Sequence, residues 1–147
     1  MKYCRPQNVD DALRLLGDAG PAGRVLVGGT DLLVGVRRRP LEPLVLVDLK
    51  AAGDLPPAIQ VTSEMVRLGP TATMTDIAAD ERLAAWFPAL VGASRVVGSV
   101  AIRNRASLIG NICNASPAAD TAPALLVHSA RVTIVGPAGE RTMPLSS

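Results

Sequence analysis

The chain has 147 residues, 48% hydrophobic and 19% charged, enough for one domain with a core or two small lobes and too apolar for a disordered segment. Aromatic residues make up only 2%, namely Tyr3, Trp86 and Phe87, so the core must be built from Ala, Val, Leu and Ile, and the stacking platforms of a single-strand nucleic-acid binder are missing. The formal net charge of +2 marks no polyanionic partner; the one dense basic cluster, Arg37-Arg38-Arg39, reads as a solvated helix end that complements the helix dipole.

In chain order, Asn8 caps a helix predicted over Val9 to Ala19, with Ala12, Leu13, Leu15 and Leu16 inward and Gly20 ending it. Arg24 to Val27 reads as a short buried strand, broken by Gly28-Gly29. Thr30 or Asp31 then caps a helical stretch from Leu32 to Arg38, and a second strand follows from Leu44 to Leu49. Strand, glycine turn, helix and strand of this size make a right-handed βαβ unit with a parallel pair. Ala51 to Pro57, rich in small residues, Gly and Pro, is the expected boundary, dividing a small lobe at 1–53 from a larger α+β lobe at 54–147.

Beyond it, Ala58 to Thr62 and Met65 to Gly69 read as antiparallel strands joined at Ser63-Glu64. Thr75 is expected to cap a short helix to Ala79, and Pro88 to begin one reaching Val97. A helix from Thr121 to His128 leads into strand Arg131 to Val135. The turn at 136–139 then gives a terminal hairpin with Glu140 to Pro144. The larger lobe is thus expected to hold a mainly antiparallel sheet. Cys4 and Cys113 form no cluster with His, which excludes a zinc or iron–sulfur site readable from spacing. No apolar run is long enough to span a bilayer and no leader is visible, so the expected location is the cytoplasm.

Two runs carry chemistry. In Val27-Gly28-Gly29-Thr30-Asp31-Leu32-Leu33, a strand ends in paired glycines and opens a helix. Such a turn turns several N–H groups into one concavity that a phosphate can enter closely. It lacks the Lys-Ser/Thr of a Walker loop and the spacing of a Rossmann fingerprint. The second run, Ile102 to Asp120, is dense in Asn, Ser and Gly between apolar segments. Its polar groups need partners in each other or in a ligand, and it is too long to be a helix cap alone, even with Asn114 or Ser116 as the capping residue. The sole histidine, His128, ends an apolar helix and reads as a packing or surface residue. No catalytic residue and no metal ligand is assigned.

Both runs resemble the flavin-binding subunits and domains of molybdopterin dehydrogenases, the family of the carbon monoxide dehydrogenase medium subunit and the xanthine dehydrogenase FAD domain. The first is similar to that family's Ala-Gly-Gly-Thr-Asp-Leu-Leu motif. The second is similar to Ile-Arg-Asn-x-x-Thr-Ile-Gly-Gly-Asn-Ile-x-x-Ala-Ser-Pro-x-x-Asp, and Leu68-Gly69-Pro70-Thr71-Ala72-Thr73 to its Gly-Ala-x-x-Thr strand end. The resemblance implies a PCMH-type α+β fold with FAD between a small βαβ lobe and a larger lobe. It implies that Leu26, Val27, Gly28, Gly29, Thr30, Asp31, Leu32 and Leu33 cradle the pyrophosphate. Ser107, Leu108, Ile109, Gly110 and Asn111 would form the second wall, Asp120 would bond the adenine-side sugar, and Thr73 would face the same cleft. It further implies electron transfer through the flavin to an acceptor, with an iron–sulfur small subunit and a molybdenum-cofactor large subunit as partners.

Two departures set up an alternative. Ile109 stands where the family has a glycine, and its Cβ and branched side chain are expected to collide with the phosphate or to strain the backbone, should that position need positive φ. The family continues past Ser147 into more of the flavin lobe and a C-terminal domain, so the chain is expected to be truncated, with an unpaired sheet edge. A remnant that keeps the fold without binding flavin is the competing expectation, and a generic phosphate binder using Gly28-Gly29 alone is a third.

Overall fold

A computed structural model describes residues 1–40 and 42–147. Three parallel strands open the fold: β1 (Lys2–Cys4), β2 (Gly23–Leu26) and β3 (Val45–Asp48), in the spatial order β1-β3-β2. The middle strand pairs Leu46 with Tyr3 on one side and with Arg24 on the other. Val47 in that strand is fully buried, as a central position of a parallel sheet requires. Helix α1 (Val9–Ala19) connects β1 to β2 and α2 (Leu32–Arg38) connects β2 to β3. Asn8 caps α1 by accepting the Asp11 N–H at 2.8 Å, and Gly20, at φ +51°, ends it. The helix and its cap match the sequence reading, as does the parallel pair of β2 and β3. Strand β1 was not anticipated, because three residues before Pro6 carry no periodicity of their own.

Two antiparallel pairs follow, β4 (Ile59–Val61) with β5 (Val66–Leu68), and β6 (Arg131–Gly136) with β7 (Gly139–Pro144). They are separate two-stranded ribbons, joined to no common sheet among the described residues. The α+β class holds, with antiparallel strands after a parallel opening.

Between the ribbons lie six short helices: α3 (Met74–Ala79), α4 (Glu81–Trp86), α5 (Pro88–Val96), α6 (Val100–Arg103), α7 (Leu108–Cys113) and α8 (Thr121–Val127). None is long enough to be stable alone, so caps and packing must hold them. Thr73, not Thr75, caps α3, in a reciprocal box with Asp76; Thr75 lies inside the helix and its hydroxyl donates to Asn104 Oδ1 at 2.6 Å. Asp80 caps α4, Ser99 caps α6 and Ser107 caps α7. Helices α4, α6 and α7 were not anticipated. Neither Thr30 nor Asp31 caps α2 with its side chain; Asp31 stands at the N-cap with its carboxylate unused there. Arg37 and Arg38 form the last turn of α2, exposed as expected.

The helices enclose a core of Ala72, Met74, Ile77, Leu83, Leu90, Val91, Ala106, Leu108 and Ala124. It contains no aromatic residue among its buried members; Phe87 packs at its margin, where its ring meets His128 edge-on at 4.8 Å. His128, the C-cap of α8, is thus a surface residue whose ring packs against Phe87. One polar atom interrupts this interior: the Ser94 hydroxyl on α5 is buried with no hydrogen-bond partner. An unpaired buried hydroxyl costs about 1–3 kcal/mol. Ser94→Ala should therefore leave stability unchanged or raise it in chemical denaturation. Leu83→Ala, at a fully buried position, should lower it by about 2–5 kcal/mol.

Candidate functional site

The turn after β2 and the approach to α7 meet. A Cβ built on Gly28 would lie 2.2 Å from the Arg105 carbonyl oxygen and 3.1 Å from the Ala106 Cα, so glycine is required for the two backbones to lie this close. Gly29, at φ +77°, adds the left-handed step, and a Cβ there would meet Leu26 Cδ1 at 2.9 Å and Leu33 Cδ1 at 3.1 Å. Leu26 and Leu33 thus wall the turn with their side chains. Leu32 and Leu33 belong to the first turn of α2, and Leu33 remains 44% exposed.

The second stretch is fixed from its other side. The Met74 N–H donates to the Ala106 carbonyl at 2.9 Å and the Leu108 N–H to the Ala72 carbonyl at 3.0 Å, which sets Thr73 directly beside Ser107. Ser107 is buried and its Oγ accepts the Gly110 N–H at 3.1 Å. The Thr73 hydroxyl is committed to its capping box, at 2.6 Å from Asp76 Oδ2. Further on, the Thr121 hydroxyl donates to Asn111 Oδ1 at 2.6 Å, which ties the start of α8, and Asp120 beside it, to α7. Asp120 is exposed and caps no helix with its carboxylate.

Ile109 occupies the second position of α7 with no left-handed backbone; positive φ outside glycine occurs, among the described residues, at Ala115 and Ser129. The expected backbone strain at Ile109 is absent, because the residue lies within a right-handed helical turn. Gly110 likewise has no positive φ.

The meeting of the two stretches leaves donors unused. Among the described residues, the N–H groups of Gly28, Gly29, Thr30, Asp31 and Ile109 donate to no protein acceptor. Several unpaired amides next to a close glycine approach suit a group with many acceptor oxygens and a negative charge. The residues fit a diphosphate.

A third element supports the turn from the sheet. Lys50, two residues past β3, donates through Nζ to the Val27 carbonyl at 2.8 Å and pairs with Asp48 at 2.5 Å. Asp48 also accepts the Tyr3 hydroxyl. Burial pushes the Asp48 carboxyl up, but the hydrogen bonds from Lys50 and Tyr3 outweigh it and hold the group below the ordinary carboxylate range. Tyr3 is raised in turn, chiefly by that same bond to Asp48. Neither Lys50 nor the Arg105 carbonyl was singled out from sequence. A backbone oxygen leaves no trace in residue identity, and the only cue for Lys50 is its place two residues after Asp48.

Among the described residues there is no helix long and apolar enough to cross a membrane and no group of three or more potential metal-ligating side chains.

Replacing Gly28 tests the contact directly. Gly28→Ala should lower stability by about 1–3 kcal/mol as the two stretches are forced apart. Gly35→Ala in α2, where an added Cβ meets nothing within 4 Å, should raise stability by about 0.4–1 kcal/mol. Thermal or denaturant unfolding of the two variants reads both signs.

Comparison with known proteins agrees with this geometry. The family model for the FAD binding domain in molybdopterin dehydrogenase matches residues 1–147. The chain is 31% identical to a xanthine dehydrogenase FAD-binding subunit of Escherichia coli O157:H7 over 98% of its own length and 49% of that protein's. It is 28% identical to the carbon monoxide dehydrogenase medium chain of Hydrogenophaga pseudoflava, over 97% of its length and 50% of the relative's. The solved carbon monoxide dehydrogenase from Hydrogenophaga pseudoflava superimposes with a TM-score of 0.92 at 27% identity, over 99% of this chain and 50% of that one. Quinoline 2-oxidoreductase from Pseudomonas putida 86 gives 0.90 at 26% identity, again over 99% and 50%. The chain spans about half the length of the curated relatives it matches. It belongs to the family of FAD binding domains in molybdopterin dehydrogenases, whose cofactor is FAD.

Proposed function

We propose that this chain is the flavin-holding part of a molybdenum-hydroxylase-type oxidoreductase and binds the diphosphate of FAD where the 28–31 turn meets the 105–111 stretch. The observation that carries this reading is the set of unpaired N–H groups at Gly28, Gly29, Thr30, Asp31 and Ile109, beside the approach of Gly28 to the Arg105 carbonyl. Two phosphates need many aimed donors and few charged side chains, and backbone amides cost no reorganisation on binding. In this reading Leu26, Val27, Leu32 and Leu33 frame the first donors. Ser107, Leu108, Gly110 and Asn111 shape the second wall, Thr73 buttresses Ser107, and Asp120 bonds the adenine-side sugar.

FAD so held supplies the redox chemistry, and the chain contributes binding, orientation and exclusion of water. No acid–base group is required of the chain for electron passage. In this role it takes electrons from the iron–sulfur clusters of a small subunit, filled by a molybdenum-cofactor large subunit, and hands them to an acceptor. The named activities of the relatives, on xanthine and carbon monoxide, support the reaction class. A remnant without flavin would draw support from backbone strain at Ile109, and the helical backbone there gives it none.

Titration of the purified protein with FAD, followed by flavin fluorescence and absorbance, tests the reading. One equivalent should bind with a Kd tighter than about 1 μM. A protein that stays colourless and leaves added FAD unquenched would overturn it and favour the remnant.

A further inference from the structure

The parallel sheet ends in a connected set of side chains that reaches the glycine turn. Tyr3 from β1 and Lys50 after β3 converge on Asp48, and Lys50 continues to the Val27 carbonyl at the end of β2. The set links all three strands, at the carboxyl ends of β2 and β3 and from the middle residue of β1. Asp48 is 7% exposed while the Lys50 side chain retains contact with solvent, so the pair is shielded on the carboxylate's side. The Lys50 backbone N–H also donates to Asp48 Oδ1, at 3.2 Å, which fixes the carboxylate that fixes the ammonium.

The Val27 carbonyl belongs to the same peptide unit as the Gly28 N–H. In a trans peptide these two groups point in opposite directions, and the Val27–Gly28 bond is trans. Holding the carbonyl toward Lys50 therefore aims the Gly28 N–H away from the sheet end, where it has no protein acceptor. Glycine at position 28 leaves this peptide free to rotate on its carboxyl side, so an external tether on its carbonyl has an effect here.

We propose that Lys50, held by Asp48 and Tyr3, is a positioning residue that fixes the Val27–Gly28 peptide so that the Gly28 N–H faces the diphosphate of FAD. This rests on the flavin reading above for its ligand, but the fixing of the peptide is a property of the flavin-free chain. Lys50 touches no cofactor atom in this role; it acts through the carbonyl it restrains. Tyr3 acts one step further back, by orienting Asp48.

Two readouts on the full chain separate the cases: FAD affinity, and the 15N relaxation order parameter of Gly28 without flavin. Lys50→Met should weaken FAD binding about tenfold, the scale of one lost hydrogen bond from a charged donor. It should also lower the Gly28 order parameter from about 0.85 toward 0.6. Lys50→Arg, which keeps a cationic donor, should restore both to near the parent values. Tyr3→Phe, milder and at a half-exposed site, should shift both in the same direction by less, and serves if Lys50→Met does not fold. Unchanged order at Gly28 in Lys50→Met overturns the proposal, even if affinity falls, because Lys50 would then act only as a charge. Should the parent chain bind no FAD, the flavin reading fails, while a Gly28 order parameter that still falls in Lys50→Met upholds the positioning role.

Discussion

At Gly28 two backbones come so close that a single added methyl group would collide with the facing chain. That approach joins a turn of the parallel sheet to the segment leading into α7, seventy-seven residues later in the chain. Much of the rest of the fold can be understood as holding each of these two stretches in place. The first is gripped by Leu26 and Leu33 around Gly29, and by Lys50 from the sheet. The second is gripped by main-chain bonds from the 72–74 segment, and by Asn111 and Thr121 beyond it. With both stretches fixed by contacts that use their carbonyls and side chains, the N–H groups of Gly28, Gly29, Thr30, Asp31 and Ile109 keep no protein acceptor among the described residues.

The division of labour follows from composition. A chain with so few aromatic residues has no large flat side chains with which to grip a cofactor by stacking. Its small residues instead let backbones approach, and its short helices are set by Thr73, Asp80, Ser99 and Ser107 at their starts. A diphosphate is the part of FAD best suited to a main-chain site, since its oxygens accept from any amide of the right direction. The chain belongs to a family of FAD binding domains, and the close approach at Gly28 is compatible with the main-chain site proposed for the diphosphate.

Elements with their own local signals were legible in the sequence. Helix α1 carries a cap, an apolar stripe and a terminal glycine, and it forms over the predicted residues. The two hairpin pairs carry alternating apolar residues and turn residues, and they form with small shifts at their ends. Strand β1 has no such signal; it exists because β3 offers it a partner. Helices α4, α6 and α7 are four to six residues long, too short for an apolar stripe; of their caps, Ser107 was read as part of a polar run, and Asp80 and Ser99 were not singled out. At the site, the paired glycines were visible as residues, whereas the carbonyl that makes Gly28 necessary was not. Ile109 illustrates the converse: a motif position expected to need glycine lies in a helix, where a branched residue is admitted.

The most direct measurement is a 15N–1H correlation spectrum recorded as FAD is added to one equivalent. The amides of Gly28 and Gly29 and that of Ile109 are expected to shift along one shared saturation curve. A response confined to one of the two stretches, with the other unmoved at saturation, would contradict a site made from both.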